Sequence, residues 1–160
     1  MDQTKKQEFH KILANFDTGM LVIQGAQDEL AAQPVAISTS SGDELIWLAL
    51  GVDTDKITEP PAADRCLLLC ERPGRHLAIK GSLLIERATS LVHEVWKPHW
   101  QTWFPAGPKS QNILLARFNP QQAEYWDHSG LMRLTYVFET ARSIVRGARR
   151  PPLREEHVRF

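Results

Sequence analysis

Two cysteines are the first candidates for chemistry in this sequence. Cys66 and Cys70 lie four residues apart in the apolar run RCLLLCER. If that run is a β-strand, both thiols face the same side about 13 Å apart, which is too far for a disulfide between them. No nearby pair of histidines completes a zinc site with them. We therefore expect two buried, reduced thiols.

Other polar side chains give weak signals for catalysis or metal binding. Side chains of the types that bind metals occur at His93, Glu94 and His99, but these residues lack the compact spacing of zinc sites. The sequence has no Ser-His-Asp pattern above chance, no phosphate-binding glycine loop and no convincing pair of carboxylates. We predict no metal site and no catalytic side chains.

The tryptophans are numerous for a chain of this length. Trp47 and Trp126 fall in predicted strands and are most simply core residues. Trp96, Trp100 and Trp103 are spaced by helix-like intervals, which predicts a packed aromatic cluster. A dimer interface, or a wall that covers a ligand ring, is the alternative, because aromatic side chains concentrate at such surfaces.

Length, composition and charge indicate one globular domain. The chain has 160 residues, and its 42% hydrophobic and 24% charged content is ordinary for a soluble protein. A formal net charge of +0 provides no overall field for nucleic acid or an anionic membrane. The N-terminus lacks the apolar stretch of a signal peptide, and no run approaches the roughly 18 apolar residues of a membrane span. We expect a cytoplasmic protein without nucleic-acid or membrane partners.

Hydrophobic periodicity predicts the elements that must position these residues. Short strands alternate with turn signals, and Gly81 interrupts one strand where a bulge or barrel bend is expected. This pattern suits a small closed or half-open antiparallel barrel with single helices at its start, middle and end. The predicted elements are helix 4–16, strands 20–24, 34–39 and 44–50, a short helix from Asp53 or Thr54, strands 65–70 and 76–86, helix 90–96, strands 112–118 and 123–127, and helix 134–148.

Several motifs in a fixed order resemble a known family. WKP at 96–98 is followed by WFP at 103–105 and Gly107, and AEYWD follows at 123–127. With the stretch at 32–56 before them, they resemble the general-stress-protein branch of the pyridoxamine 5′-phosphate oxidase-like proteins. The resemblance extends over most of the chain. It implies a mainly β fold with flanking helices: an antiparallel, Greek-key-like FMN-binding split barrel.

The resemblance also implies a cofactor and its site. Members of the family are typically homodimers that bind FMN in a groove at the subunit interface. A flavin phosphate is a dianion that needs a cation and hydrogen-bond donors, which Lys56, Thr54 and the adjacent helix start can supply. The flavin ring needs an apolar slot, which Val35 and Leu48 can line. The implied cofactor-binding residues are Gln33, Pro34, Val35, Trp47, Leu48, Ala49, Leu50, Thr54, Lys56 and Trp103.

Three positions depart from the family pattern. Gln33 stands where the family has arginine, Leu50 where it has threonine, and Asp55 adds a negative charge beside the implied phosphate site. Glutamine cannot form a charged, bidentate contact with phosphate. Losing one hydrogen bond to a charged group costs roughly 1.5–3 kcal/mol, or about ten- to a hundredfold in affinity. The candidate replacement cations are Arg65, Arg72 and Lys80.

Two functional hypotheses follow. The first is a dimeric flavoprotein that uses FMN or FAD; if it is an enzyme, it is an FMN-dependent oxidoreductase in which the flavin supplies the chemistry. The second is a cofactor-free dimeric binding or regulatory protein on the same fold. In both, residues 1–130 form the barrel domain, and residues 131–160 form a C-terminal helix and basic tail. The tail is either a solvated helix end or a contact for an anionic partner.

Overall fold

The computed structural model describes residues 3–25, 27–39, 45–51, 65–87, 89–127 and 133–138. None of the helices in these ranges has the length and apolarity needed to cross a membrane. The elements are helix α1 (Gln3–Leu13), strands β1 (Thr18–Gln24), β2 (Leu30–Thr39), β3 (Ile46–Gly51), β4 (Cys66–Arg72) and β5 (Arg75–Glu86), helix α2 (Thr89–Val95), two 3₁₀ helices (Pro98–Thr102 and Gly107–Lys109), and strands β6 (Ile113–Trp126) and β7 (Arg133–Val137).

The described strands form one antiparallel sheet that closes on itself. Their order is β3-β2-β1-β4-β5-β6-β7, and β3 also pairs with β6. Strands β1 to β6 therefore form a closed barrel, and β7 extends the sheet from the second half of β6. Strand β4 returns to lie beside β1 instead of β3, which is the Greek-key order. This confirms the predicted antiparallel, Greek-key-like barrel with flanking helices.

The core of the barrel comes from the side chains that alternate inward along each strand. Leu21, Leu48 and Leu68 are fully buried there. The amphipathic helix α1 adds Phe9 and Leu13, which are also fully buried, as the periodicity of the N-terminal segment predicts. The Phe9 ring packs at 4.8 Å from Phe138 and 5.8 Å from Tyr136, so the helix lies against the end of the sheet that β7 extends.

The two cysteines lie in this core. Cys66 and Cys70 are buried and form no disulfide, and they lie on either side of the fully buried Leu68 of β4. Desolvation by burial raises the pKa of the Cys70 thiol from 9.0 to about 12. The thiol therefore stays protonated at neutral pH, and the prediction of buried, reduced cysteines is confirmed.

One long strand replaces two predicted ones. Strands were predicted over 112–118 and 123–127, with a break at Asn119-Pro120, but β6 runs without interruption from Ile113 to Trp126. Pro120 sits opposite Gly81, where the register between β5 and β6 shifts. A proline that lacks its N–H is tolerated at such a bulge. The bulge at Gly81 was itself predicted from the sequence and is confirmed.

The segment after β6 also differs from the sequence-based expectation. A helix was predicted over 134–148, but residues 133–137 form β7, which pairs with β6 and buries Tyr136. Short apolar runs fit helix and strand alike, and here pairing with the preceding strand decides. Residues 139–148 of that predicted helix, the basic tail, the turn at 40–43 and the short helix after Gly51 lie outside the described residues.

Candidate functional site

A small pocket lies on the outer surface of β2 and β3. Its volume is about 140 Å³. Ala36 and Ala49, opposite each other in the register of β2 and β3, lie in its floor. A Cβ added to Gly51 would have only Phe104 Cε1 nearby, at 4.0 Å, so Gly51 leaves open space. A flat group can therefore approach the backbone closely. The lining residues are Gln33, Pro34, Ala36, Ala49, Gly51, Trp103 and Phe104.

Trp103 and Phe104 form an aromatic wall of the small pocket, and Trp100 attaches this wall to the barrel. The backbone N–H groups of Trp103 and Phe104 both donate to the Trp100 carbonyl, at 3.0 and 2.9 Å. Trp100 is fully buried, and its indole N–H lies 3.4 Å from the Ile37 carbonyl oxygen. Its ring also packs edge-on against Trp96 at 5.6 Å. Trp96 and Trp100 thus form the predicted aromatic cluster, whereas Trp103 is 51% exposed at the pocket.

A large pocket of about 610 Å³ adjoins the small one, and the two share Pro34 and Trp103. Met20 and Leu69 contribute apolar surface to it. Glu71 and His76, which face each other in the register of β4 and β5, supply polar groups. Trp126 is paired with His76 across β5 and β6. The two pockets therefore form one surface that is largely apolar, with Trp103 between them and titratable groups on one side.

The structure brings together four of the ten residues assigned to the cofactor site. Gln33, Pro34, Ala49 and Trp103 all line the small pocket. Thr54 and Lys56 lie outside the described residues. The other four, which are buried away from the pocket, are Val35, Trp47, Leu48 and Leu50.

Strand alternation explains the position of three of these four residues. Val35, Leu48 and Leu50 are at most 3% exposed and belong to the core inside the barrel, so their side chains cannot line the outer pocket. Trp47 is 6% exposed and packs with Trp100 in a second cluster outside the barrel wall. Position 50, where the family has threonine, therefore points into the core.

Three lining residues escaped the sequence-based assignment: Ala36, Gly51 and Phe104. Ala36 and Gly51 are small and carry no chemical signal of their own. Phe104 belongs to the WFP motif that supported the resemblance, and it could have been assigned together with Trp103. The alternation of inward and outward residues along β2 and β3 is the signal that indicates Ala36.

No ionisable side chain lines the small pocket within the described part of the chain. Of the three candidate replacement cations, Arg72 is engaged elsewhere, because its guanidinium donates to the Asn15 carbonyl. Arg65 and Lys80 line a different pocket. The described residues therefore suit the apolar ring of a ligand, and a negatively charged end would need partners from another segment.

Fold and sequence together define the class and the family of the chain. The closed antiparallel barrel places it among the split-barrel proteins. A family profile described as "Pyridoxamine 5′-phosphate oxidase like" matches residues 4–151, so the chain belongs to the pyridoxamine 5′-phosphate oxidase-like family. A comparison with curated protein sequences finds no match.

Solved structures confirm the fold. A protein related to general stress protein 26 from Clostridium acetobutylicum matches with a TM-score of 0.65 at 15% identity, over 86% of this chain and 96% of that chain. General stress protein 26 from Bacillus anthracis matches with 0.62 at 18% identity, over 85% and 100%. The general stress FMN/FAD binding protein from Xanthomonas citri matches with 0.59 at 21% identity, over 90% and 99%. The resemblance to the pyridoxamine 5′-phosphate oxidase-like family is confirmed by the profile, and these structures share the fold.

Proposed function

We propose that this chain binds a flavin, FMN in the first instance, on the surface formed by the small and large pockets. The observation that carries the proposal is the small pocket itself: a floor of Ala36, Ala49 and Gly51 beside Trp103 and Phe104. Such a floor lets a flat ring lie close to the strand backbone, where peptide groups can bond its polar edge. An exposed tryptophan at the rim can stack on the ring.

The size of the surface supports the same ligand. Ligand pockets typically enclose about 300–1,000 Å³. The small pocket, at about 140 Å³, is too small for a whole flavin, but the adjoining large pocket adds about 610 Å³. A ligand that occupies the small pocket and extends past Trp103 therefore has sufficient room.

The phosphate end of the ligand requires a cation. Thr54 and Lys56 follow Gly51 closely in the sequence, and Gly51 lines the small pocket. We assign them to the phosphate on this proximity and on their chemistry, a hydroxyl donor and an ammonium group. A bound flavin would supply the redox chemistry, and the side chains of this chain would hold and orient it. The Xanthomonas citri protein, named for FMN/FAD binding, supports this function.

We further propose that two copies of the chain associate around this surface. Met20, Leu69 and Trp103 are 42%, 40% and 51% exposed, and all three line the large pocket. Covering them with a second copy removes apolar surface from water at about 25 cal/mol per Å². Light scattering should give twice the chain mass at micromolar concentration, and Leu69→Asp should shift the protein toward a monomer. A wild-type monomer at that concentration would contradict the association.

Gly51→Val is expected to weaken FMN binding at least tenfold, because its side chain would occupy the floor of the small pocket. Gly51 is exposed and does not adopt a positive φ, so valine fits the strand backbone. Titration of wild type and variant with FMN, followed by flavin fluorescence and visible absorbance, measures the change. Ala31→Val, on an exposed position of β2 that lines neither pocket, is the matched control.

Two results would reject the flavin site. Equal FMN affinity in Gly51→Val and wild type would remove the small pocket from the site. No binding by the wild type at physiological flavin concentrations would favour the second hypothesis, a cofactor-free dimeric binding or regulatory protein. The presence of Gln33 at the family arginine position is the feature that favours this alternative.

A further inference from the structure

A third pocket, here called the basic pocket, lies on the outer face of the barrel. Its volume is about 390 Å³, and it contains two cationic side chains, Arg65 and Lys80. Lys80 of β5 is paired with Leu67 of β4, and Arg65 precedes Leu67 by two positions. Such diagonal neighbours lie about 7–8 Å apart, so one oxyanion can contact both. The lining residues are Val22, Gln24, Leu30, Arg65, Cys66, Leu67, Lys80, Gly81 and Gln121.

The two cations are available to a ligand. Neither Arg65 nor Lys80 has an ion-pair or hydrogen-bond partner for its side chain among the residues that the structure describes. The Asp28 carboxylate accepts a hydrogen bond of 2.8 Å from the Gln24 side-chain amide, and it forms no ion pair with either cation. Two like charges close together repel each other when nothing neutralises them. An anion bound between them removes that repulsion.

The remaining lining is mostly apolar. Val22 and Leu67 face outward on adjacent strands, and Leu30, at 72% exposed, lies at the edge. A simple inorganic anion would leave this apolar surface uncovered. The pocket therefore suits a ligand that combines an oxyanion with an apolar body.

The bulge between β5 and β6 shapes one side of the pocket. Lys80 pairs with Gln122 and Gly81 with Pro120, so Gln121 is the extra residue without a partner on β5. Bulges of this kind redirect side chains and often lie next to binding sites. Gly81 is required there, because an added Cβ would lie 2.4 Å from the Asn119 carbonyl oxygen. Gln121 and Gln24 also line the pocket, and the Gln24 side-chain amide donates to Asp28.

We propose that the basic pocket binds an organic oxyanion, a carboxylate or phosphate carried on an apolar chain. Arg65 and Lys80 hold the oxyanion, and Val22 and Leu67 contact the apolar chain. The site is separate from the proposed flavin surface, since no residue lines both the basic pocket and either of the other two.

The test is a two-dimensional amide NMR titration of the full chain with octanoate, octyl phosphate and octanol. Both anions, or one of them, should bind saturably at least tenfold more tightly than octanol and shift the amides of residues 22, 67 and 80. The anion that binds more tightly shows whether the pocket prefers a carboxylate or a phosphate. The double variant Arg65→Gln/Lys80→Gln should lose at least tenfold in anion affinity and keep the FMN affinity of the wild type.

Arg75→Gln/Lys109→Gln is the matched control, because it removes the same charge from exposed positions that line none of these pockets. Arg65 and Lys80 are exposed, so their replacement should leave the unfolding transition unchanged. The proposal is overturned if octanol binds as tightly as the anions, or if the control weakens anion binding equally. The proposal is also overturned if neither anion binds, even where a second copy of the chain occludes the pocket.

Discussion

Replacing Trp100 with alanine is expected to lower the free energy of unfolding by about 3–5 kcal/mol. Trp100 is fully buried and is among the largest side chains in the core. It packs with Trp47 and Phe104 between the barrel wall and the 3₁₀ segment. The substitution leaves a cavity in that cluster and removes the indole donor 3.4 Å from the Ile37 carbonyl oxygen. No rearrangement of small neighbours such as Ala36 and Ala49 can fill the cavity.

Urea denaturation, followed by far-ultraviolet circular dichroism, measures this loss. Trp103→Ala is the matched control: Trp103 is 51% exposed, and its removal should cost about 1 kcal/mol or less. A cost below about 1.5 kcal/mol for Trp100→Ala would show that this cluster does not stabilise the fold as its burial indicates. The same variant should also weaken FMN binding, because the Trp100 backbone holds the wall of the small pocket.

The sequence was sufficient where local patterns decide the structure. The strands over 34–39, 44–50 and 65–70 were placed correctly to within a few residues, because their apolar runs end at turn-forming residues. The bulge at Gly81 was also recognisable, since a glycine inside a strand usually marks one. The N-terminal helix followed from the spacing of Phe9, Ile12, Leu13 and Phe16.

Pairing between strands decided what the local sequence pattern could not. Asn119-Pro120 looks like a strand end, but the chain continues because the bulge in β6 opposite Gly81 accommodates the proline. Residues 134–137 have helical spacing, yet they pair with the end of β6. Gly81 is distant from Pro120 in sequence, and β7 pairs with the strand just before it, but neither pairing can be read from the helical or strand spacing of the segment itself.

The candidate site was likewise predicted in part from the sequence. The family motifs located β2 and β3 as its position, and Gln33, Pro34, Ala49 and Trp103 do meet at the small pocket. The motifs did not distinguish inward from outward residues, so the core residue Leu50 was assigned together with Ala49. Which face of a strand lies inside the barrel depends on how the sheet closes.

Raising the pH above about 9 is expected to destabilise the protein through Cys70. Burial raises the pKa of this thiol from 9.0 to about 12 in the folded state. The unfolded chain therefore releases the proton first, and the contribution of Cys70 is complete below pH 9 and lost between pH 9 and 12. At about 1.36 kcal/mol per pH unit, the loss reaches about 2 kcal/mol at pH 10.5 and about 4 kcal/mol at pH 12.

Comparison with Cys70→Ala isolates this effect, because other groups titrate in the same range. Burial likewise raises the pKa of Tyr136 to about 12, and this group acts with the same sign in both proteins. The difference in unfolding free energy between wild type and variant should be constant from pH 6 to 8. It should then change by about 2 kcal/mol in favour of the variant by pH 10.5. A constant difference over the whole range would mean that the folded protein gives up the Cys70 proton as easily as the unfolded chain, and it would contradict the raised pKa of this thiol.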